Sequence, residues 1–477
     1  MYFRRHLRGT EPSTKEDFRM RSLARIICLI VAAVAFTSPA ANADDVFVDC
    51  DAAPETLSPP TYPTINAALS VLPTTGFHSI TVTGSCDEVV GLNTRDNITI
   101  QAPEGQTATI VPPAEDPPQP FAVRVTRSRG VVLRRLNVRG LQIRDTSEAT
   151  LDTLTTEGAQ GIGLNVTSNC IVAVNGTFIS RQNNNNGVAV SNDSTVDFFG
   201  PVTVENNGAR GMNIGPASKV IMGRGDGTSP VLISGNQGSG LSVGGNSVVF
   251  LNGGITIENN GNVAGVNASV LGIGSGQTQN IFRNNGFGIN ADLNAVVTLN
   301  GNNLIQNNGS TGIQITRSST LSMSGQATIE GHTTMGINIV FQGVVTIGGM
   351  HKIRDNGFGG NIPAAASGIR VANSMLSLTG PVEVTGNGGP GILTELGALV
   401  ELGPLSGDPP AMLISGNVAE GIRLMQLSAA RLRQTVTFST NGIASISCDG
   451  SSHLFGILTG ISGIKCSNSD AEKVPKK

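Results

Sequence analysis

Polar side chains recur once per repeat at one position of a short alternating segment, and they are the residues of this chain best suited to hold a ligand. The position after the buried residue of each Gly-apolar-x-apolar segment carries an amide, a hydroxyl or a guanidinium group. Such a series could hydrogen-bond a linear glycan, and arginines would add affinity for carboxylates. A solvated sheet face would show the same pattern. The predicted ligand-binding residues are Asn267, Asn290, Gln314, Arg317, Asn338, Arg370 and Arg423.

The acidic residues do not form a pattern typical of catalysis. Polysaccharide hydrolases need paired carboxylates at a fixed separation, and removal of a proton next to a uronate needs a base. In this chain the acidic residues of the repeat occur mostly once per unit and at different positions: Asp197, Asp226, Asp292, Asp355 and Glu395. We predict neither a catalytic residue nor a cofactor, and calcium held by loops stays an alternative.

An internal repeat predicts the elements that position these residues. A Gly-apolar step returns mostly every 23 to 25 residues between Gly187 and Gly421, and each unit contains three short alternating segments separated by turn residues. A hairpin-built sheet would not show a three-part cycle. We therefore predict an all-β protein folded as a single-stranded, right-handed parallel β-helix, with three short strands per coil of about 24 residues. Parallel strands in such a stack lie about 4.8 Å apart.

An asparagine recurs at the turn after the third strand of each coil, and glycine usually follows it. Both residues tolerate the left-handed backbone of a sharp corner, and stacked amides can hydrogen-bond along the stack. The predicted ladder consists of Asn207, Asn236, Asn260, Asn285, Asn308, His332, Asn356, Asn387, Asn417 and Asn441. This column favours a structural role for His332 over catalysis. Around His351 we predict a salt-bridged surface strand, near Arg354 and Asp355.

The cysteines predict an exported protein with a covalent link near each end. We expect Cys50 to pair with Cys86, and Cys448 to pair with Cys466. Cys170 occupies the small-residue column of the second strand, so we expect a buried structural thiol.

The domain organisation predicted from the sequence has four parts. Residues 1–43 are typical of a signal peptide, with Met20 as an alternative start, and their apolar run is too short to span a membrane. Residues 44–79 form an N-terminal cap with a helix over 63–73, and residues 80–466 form the β-helix with a disulfide-closed lid. Residues 467–477 form a flexible tail. Insertions at 223–230, 357–367 and 403–410 are expected to project from the coils.

Charge excludes some classes of partner. The chain has 31 basic and 34 acidic residues, and without residues 1–43 it has 24 basic and 31 acidic residues, a net charge of −7. Nothing in this balance favours nucleic acid or insertion into a membrane. The absence of Trp argues against stacking on neutral sugars, so an acidic glycan is the favoured partner. The sequence does not indicate the oligomeric state.

The coil repeat, the asparagine column and the segment TINAALSVLP resemble the pectin-lyase-like superfamily of right-handed parallel β-helices, over about residues 60–466. The resemblance implies extracellular work on polysaccharides, by lyases, hydrolases, esterases and uronate epimerases, or by non-catalytic adhesins and phage tail proteins. The Asp-Pro-His-Glu run of alginate epimerases is missing.

We predict an exported, extracellular, periplasmic or cell-surface protein that binds or presents polysaccharide without catalysis. The alternatives are a lyase, epimerase or hydrolase with a non-standard site, and an adhesive or structural rod.

Overall fold

The structure, a computed structural model, describes residues 44–53, 61–114, 118–223, 229–267, 269–274, 279–359, 366–404 and 411–471. The predicted signal peptide and most of the three predicted insertions lie outside these residues. In the part of the chain that the structure describes, no helix has the length and apolar character needed to cross a membrane.

The chain winds as a right-handed parallel β-helix, as the repeat predicts. Each coil contributes one strand to each of three sheets. We number them sheet 1, sheet 2 and sheet 3, in chain order from the Gly-apolar step. Every strand pairs in parallel with its counterpart in the neighbouring coils. The sheet 1 strands are Val90–Asn93, Val123–Thr126, Leu141–Arg144, Leu164–Thr167, Val188–Ser191, Met212–Ile214, Ser239–Gly244, Asn262–Asn267, Ile289–Asp292, Ile313–Ile315, Ile337–Val340, Ile369–Ala372, Ile392–Glu395, Ile422–Leu424, Ile446–Cys448 and Ile464–Lys465.

Sheets 2 and 3 follow in each coil. Sheet 2 contains Asp44–Asp49, His78–Thr83, Ile98–Gln101, Thr195–Phe198, Lys219–Met222, Val248–Leu251, Val270–Ile273, Val296–Leu299, Thr320–Met323, Val344–Ile347, Met375–Leu378, Leu399–Leu402, Ala429–Leu432, His453–Gly456 and Ser469–Ala471, with Thr61–Tyr62 beside the first of them. Sheet 3 contains Ser85–Asp87, Ala108–Val111, Val202–Glu205, Val231–Ser234, Ile255–Glu258, Gln279–Arg283, Asn302–Gln306, Gln326–Glu330, Met350–Arg354, Val382–Thr385, Met412–Ser415 and Thr437–Ser439. The long strands Val131–Val138, Glu148–Glu157 and Ile171–Arg181 run through both sheets.

The ends of the stack differ from the predicted boundaries. Asp44–Asp49 already pairs with His78–Thr83, so the stack begins inside the segment predicted as a cap. Ser469–Ala471 pairs with the strand His453–Gly456, so the predicted flexible tail begins with an ordered strand. In both places, backbone groups of the outermost coil gain a hydrogen-bonding partner.

A short helix, Ile65–Val71, lies within the predicted range 63–73 and caps the N-terminal coils. Thr64 accepts a hydrogen bond from the Ala67 N–H at 3.0 Å, as an N-cap residue does. The buried carboxylate of Glu88 accepts the N–H groups of Ile65 and Asn66, at 2.5 and 2.9 Å. These bonds satisfy the free donors of the first turn and favour a negative charge at that end.

The two predicted disulfides are present. Cys50 is bonded to Cys86 beside the helix, and Cys448 is bonded to Cys466 at the other end of the stack. Each link closes a short loop at an end coil, where the chain has a neighbour on one side only.

The asparagine ladder is present at the corner between sheet 3 and sheet 1. In most coils the ladder residue donates both its backbone N–H and its side-chain Nδ2 to the Oδ1 of the next ladder residue. For Asn207 and Asn236 these distances are 3.1 and 2.9 Å. The same Nδ2 also donates to a sheet 3 carbonyl of the preceding coil, such as Ser180 O at 3.2 Å. The ladder begins with Asn183, one coil before the first predicted member.

The reason for asparagine at this corner differs from the predicted one. The left-handed residue is the one before the ladder asparagine, for example Asn206 and Asn284, each with φ 54°. In several coils the glycine after the ladder residue is required by close packing between coils. A Cβ added to Gly388 would lie 2.6 Å from the Gly357 carbonyl oxygen. Asparagine is therefore used for its amide, and its tolerance of a left-handed backbone matters one position earlier.

The glycine of the Gly-apolar step is also explained by the ladder. A Cβ on Gly211 would lie 2.8 Å from Nδ2 of Asn236 in the next coil, and 2.6 Å from the Gly240 carbonyl oxygen. Real side chains do not approach backbone this closely, so the step needs glycine wherever the ladder amide packs against it.

His332 replaces an asparagine in the ladder, as predicted. Its Nδ1 accepts the Asn308 N–H at 3.2 Å, and its own N–H donates to Asn356 Oδ1 at 3.2 Å. His351 is also buried, 1% exposed, which contradicts a surface position, because the alternation of its strand turns it toward the core. The strand does carry surface ion pairs, from Arg354 to Asp355 at 4.0 Å, as predicted, and to Glu330, which was not predicted. Burial lowers the pKa of both histidines to about 4.

A second ladder, of serines, lies at the corner between sheet 1 and sheet 2. In several coils a buried serine Oγ accepts the backbone N–H of the residue at the same position one coil earlier. Ser247 accepts from Ser218 at 3.2 Å, and Ser319 accepts from Ala295 at 3.1 Å. Cys170 lies in this column, fully buried, as expected for a structural thiol. Sheet 1 is therefore fixed by side-chain hydrogen bonds at both of its ends.

Removing one ladder amide should cost much more than removing an exposed one. In Asn285→Ala, the Asn260 N–H and Nδ2 groups and the Ile257 carbonyl lose a partner. Leaving such buried groups unpaired should lower the free energy of unfolding by about 2 to 3 kcal/mol. Urea denaturation of Asn285→Ala and of the exposed control Asn184→Ala measures this difference. Equal losses in the two variants would contradict the ladder's stabilising role.

Replacing His332 by Asn should remove part of the protein's acid sensitivity. The pKa of His332 is about 4 in the folded protein and 6.5 ordinarily. Between pH 4 and pH 6.5 the ring is therefore protonated in the unfolded chain and neutral in the folded one. Stability conferred by the neutral ring is thus complete above pH 6.5 and is lost as the pH falls toward 4, by about 3 kcal/mol. Between pH 7 and pH 4, the free energy of unfolding of His332→Asn should therefore fall by about 3 kcal/mol less than that of the parent. Urea denaturation at each pH measures this difference. His351 keeps its own dependence in both proteins, and parallel pH profiles would contradict the assignment to His332.

Candidate functional site

The predicted ligand-binding residues lie mainly on the outer face of sheet 1, but they do not form an uninterrupted row. Strand register places one residue per coil in the row: Asn290, Gln314, Asn338, Arg370, Leu393 and Arg423. Leu393 is buried and separates Arg370 from Arg423. The row thus contains three amides and one arginine in successive coils, and a second arginine two coils further on.

Two of the predicted residues lie outside this row. Gly265 pairs with Asn290, whereas Asn267 pairs with Asp292, two residues further along the strand. The cause is a two-residue shift of the Gly-apolar step in this coil, because Ala264 and not Val266 aligns with Leu241. Arg317 lies at the corner between sheets 1 and 2, where its φ is 48°.

An ion pair is built into the row at Arg370. Glu395 lies one coil further on at the neighbouring outward position, because Ala372 pairs with Glu395 and Arg370 with Leu393. The Arg370 Nε donates to Glu395 Oε1 at 2.8 Å, and Nη1 donates to Asn338 Oδ1 at 3.5 Å. The side chains of the pair are 24% and 14% exposed, so the guanidinium plane is held in place.

The other two predicted arginines differ in their surroundings. Arg317 donates from Nε and Nη2 to Asp292, and the Nε distance is 2.5 Å. This hydrogen bond raises the pKa of Arg317 above its ordinary value. Arg423 has no carboxylate partner within the described residues. Two of the three positive charges are therefore compensated.

A groove of about 730 Å³ lies over the C-terminal part of the row. Its floor is formed by Gln314, Asn338 and Arg370 and by two buried apolar residues, Val340 and Ala372. The wall on the side of sheet 2 consists of corner residues: Phe341, Asn373, Leu396, Gly397, Gln426 and Leu427. A second hollow of about 410 Å³ shares Phe341 and Asn373 with the groove and continues to Arg317 and Leu293.

Four apolar residues at this corner have a left-handed backbone and exposed side chains. They are Leu293, Phe341, Leu396 and Leu427, with φ of 52°, 55°, 58° and 65° and exposures of 40%, 62%, 53% and 74%. We call them the corner file. The left-handed conformation costs a residue with a side chain about 1 to 2 kcal/mol. At the same corner, the N-terminal coils carry Asp145, Ser168, Asn192 and Gly245, and Asn, Asp and Gly tolerate this backbone best.

A group with metal-ligand spacing lies elsewhere. Among the described residues, the group found is Cys50, Cys86 and Glu88. Its two sulfur atoms are bonded to each other, and its carboxylate accepts the N–H groups of the helix start. The possible metal ligands of this group are therefore already engaged in other bonds. The groove, by contrast, offers a ligand hydrogen bonds and apolar contacts.

Neither the corner file nor the ion pair between Glu395 and Arg370 was predicted from the sequence. An apolar residue in a segment of alternating polarity is taken for core, and Phe341 and Leu427 carry no other mark. A signal exists nevertheless for Leu293, Phe341 and Leu396, because they occupy the corner position that is Asp145 or Asn192 in early coils. Glu395 lies 25 residues from Arg370, so its pairing depends on the length of the intervening turns.

Comparison with known proteins yields no close relative. No protein-family model and no curated protein matches the chain. The A-module of the mannuronan C-5 epimerase AlgE6 from Azotobacter vinelandii is 12% identical, with 87% of this chain and 94% of that chain covered and a TM-score of 0.29. The AlgE4 A-module from the same organism is 13% identical, with 86% and 94% covered and the same TM-score.

We infer neither activity nor substrate from similarity at this level. The parallel coils of the chain themselves form the β-helix that the coil repeat predicts.

Proposed function

We propose that this chain is an exported, non-catalytic protein that binds an extended polysaccharide along the outer face of sheet 1. The observation that carries the proposal is the groove, which combines planar polar groups on its floor with apolar side chains on one wall. Amides and guanidinium groups suit the hydroxyls of a sugar, and apolar side chains suit its C–H faces. Export is supported by the two disulfides, which are typical of oxidising compartments.

The length of the groove supports a polymeric ligand. Its lining extends from the coil of Gln314 to that of Leu427, which is five consecutive coils of sheet 1. At about 4.8 Å per coil, the lining covers about 19 Å along the stack. A single sugar ring would fill only part of this length.

Two observations favour binding over catalysis. At the C-terminal end of the groove, the Asp449 carboxylate accepts the N–H groups of Gln426 and Ser451. Glu395 and Asp292 lie four coils or about 19 Å apart along the stack, whereas glycoside hydrolysis uses carboxylates about 5 to 10 Å apart. Both are ion-paired to arginine. The lining also contains no histidine, lysine, tyrosine or cysteine among the described residues. A lyase, epimerase or hydrolase remains the second candidate, and an adhesive rod would use the same surface with a different partner.

Two of the three arginines that favoured an acidic ligand are neutralised by ion pairs. An acidic glycan was favoured because of Arg317, Arg370 and Arg423. With the first two ion-paired, Arg423 is the uncompensated one of these three arginines. An acidic chain would therefore gain one charge contact rather than three.

Retention of the protein on immobilised polysaccharides tests the proposal. We expect retention on at least one polymer of a panel of uronate polymers and neutral glucans, mannans and xylans. The double variant Gln314→Ala/Asn338→Ala should weaken binding about tenfold or more, because two ligand hydrogen bonds from the groove floor are lost. Gln142→Ala is the matched control, since Gln142 occupies the same row outside the groove.

Three results would contradict the proposal. These are no retention on any polymer, an equal loss in the Gln142→Ala control, and release of unsaturated uronates or new reducing ends from a retained polymer. The last result would favour the enzymatic alternative.

A further inference from the structure

The corner file is a strained and exposed set of side chains with no role in the core. Phe341, Leu396 and Leu427 line the groove, and Leu293 lines the adjoining hollow. Each would be replaced without strain by Asn or Gly, which other coils use at this corner. Strain that persists at exposed residues beside a groove is a reason to look for a function.

The spacing of the corner file matches a chain-like ligand. Leu293, Phe341 and Leu396 occur in alternate coils, separated by Arg317 and Asn373, and Leu427 follows in the next coil. The intervals along the stack are therefore about 10, 10 and 5 Å. An interval of two coils is close to the length of two linked pyranose rings, so side chains of the file could meet equivalent faces of successive disaccharides.

The floor of the groove adds the polar half of such a site. Gln314 and Asn338 present amides, and the Arg370 guanidinium is held flat by Glu395. Because that ion pair is neutral overall, the floor offers directional hydrogen bonds without a strong field for anions. An extended peptide fits less well, because its backbone N–H and C=O groups would need partners, and those of sheet 1 are already paired within the sheet.

We infer that the groove takes a chain of uncharged pyranose sugars, with ring faces on Phe341, Leu396 and Leu427 and hydroxyls on Gln314, Asn338 and Arg370. This inference rests on the proposed function and proposes a neutral glycan in place of the acidic one expected from the sequence. The absence of Trp does not exclude it, because the phenyl ring of Phe341 is an exposed apolar plane.

The substitution Phe341→Asn separates a binding role from a structural one. Asparagine relieves the left-handed strain and removes an exposed apolar side chain, so the midpoint of thermal unfolding should rise. The ring face is lost at the same time, so the dissociation constant for a neutral polymer should increase about tenfold or more. Isothermal titration with a neutral glucan, mannan and xylan and with polygalacturonate, together with thermal unfolding, measures both effects.

Two further variants complete the experiment. Leu427→Asn is a second test at the most exposed member of the file, and we expect the same opposite changes. Phe358→Asn is the matched control, because Phe358 is 67% exposed but lies at the other corner of sheet 1, near the asparagine ladder. Its substitution should leave the dissociation constant unchanged.

The outcomes distinguish this inference from the proposed function. Binding of polygalacturonate but of none of the neutral polymers, or unchanged binding in both Phe341→Asn and Leu427→Asn, would overturn the inference and leave polysaccharide binding standing. A fall in both stability and affinity would also overturn it, since the side chains would then be structural. Binding of none of the polymers would overturn both.

Discussion

The stacking of like residues in register, coil upon coil, is the interaction on which the rest of the structure depends. Each ladder amide is bonded to the next. The Oδ1 of Asn236 accepts two N–H groups of the preceding coil, and its Nδ2 donates to a carbonyl of the preceding coil and to the ladder amide of the next. The glycines packed against the ladder follow from the same constraint, because the space that a side chain would need is filled by the adjacent coil. A coil with the wrong register would lose its partners on both sides.

The two ladders hold the corners of the coils together, and this leaves the outward residues of the faces free for another role. The asparagine ladder fixes the start of each sheet 1 strand, and the serine ladder fixes its end. Outward residues between these corners, such as Gln314 and Asn338, are not needed to hold the coil together and are available to a ligand. Because the ladders stabilise the coils so strongly, the protein can also tolerate the left-handed backbone of Phe341 and Leu427 at its surface.

Periodic features could be predicted from the sequence, and features that differ between coils could not. The parallel coils, both disulfides and the position of His332 in the ladder follow from spacing alone. Asn267 was assigned to the wrong column because one turn shifts the register by two residues, and the inward position of His351 depends on where its strand begins. The Arg370–Glu395 pair and the exposure of Phe341 depend on how neighbouring coils pack. No local sequence pattern therefore predicts them.

A crystal structure of the protein with an oligosaccharide from the polymer that it retains would test the central claim most directly, namely that the ladders hold a ligand-binding face on sheet 1. The account predicts a sugar chain running along the stack, with hydroxyls at Gln314 and Asn338 and a ring over Phe341, and an unchanged asparagine ladder beneath. Sugar density on the outer face of sheet 2 or sheet 3, with an empty groove on sheet 1, would contradict it.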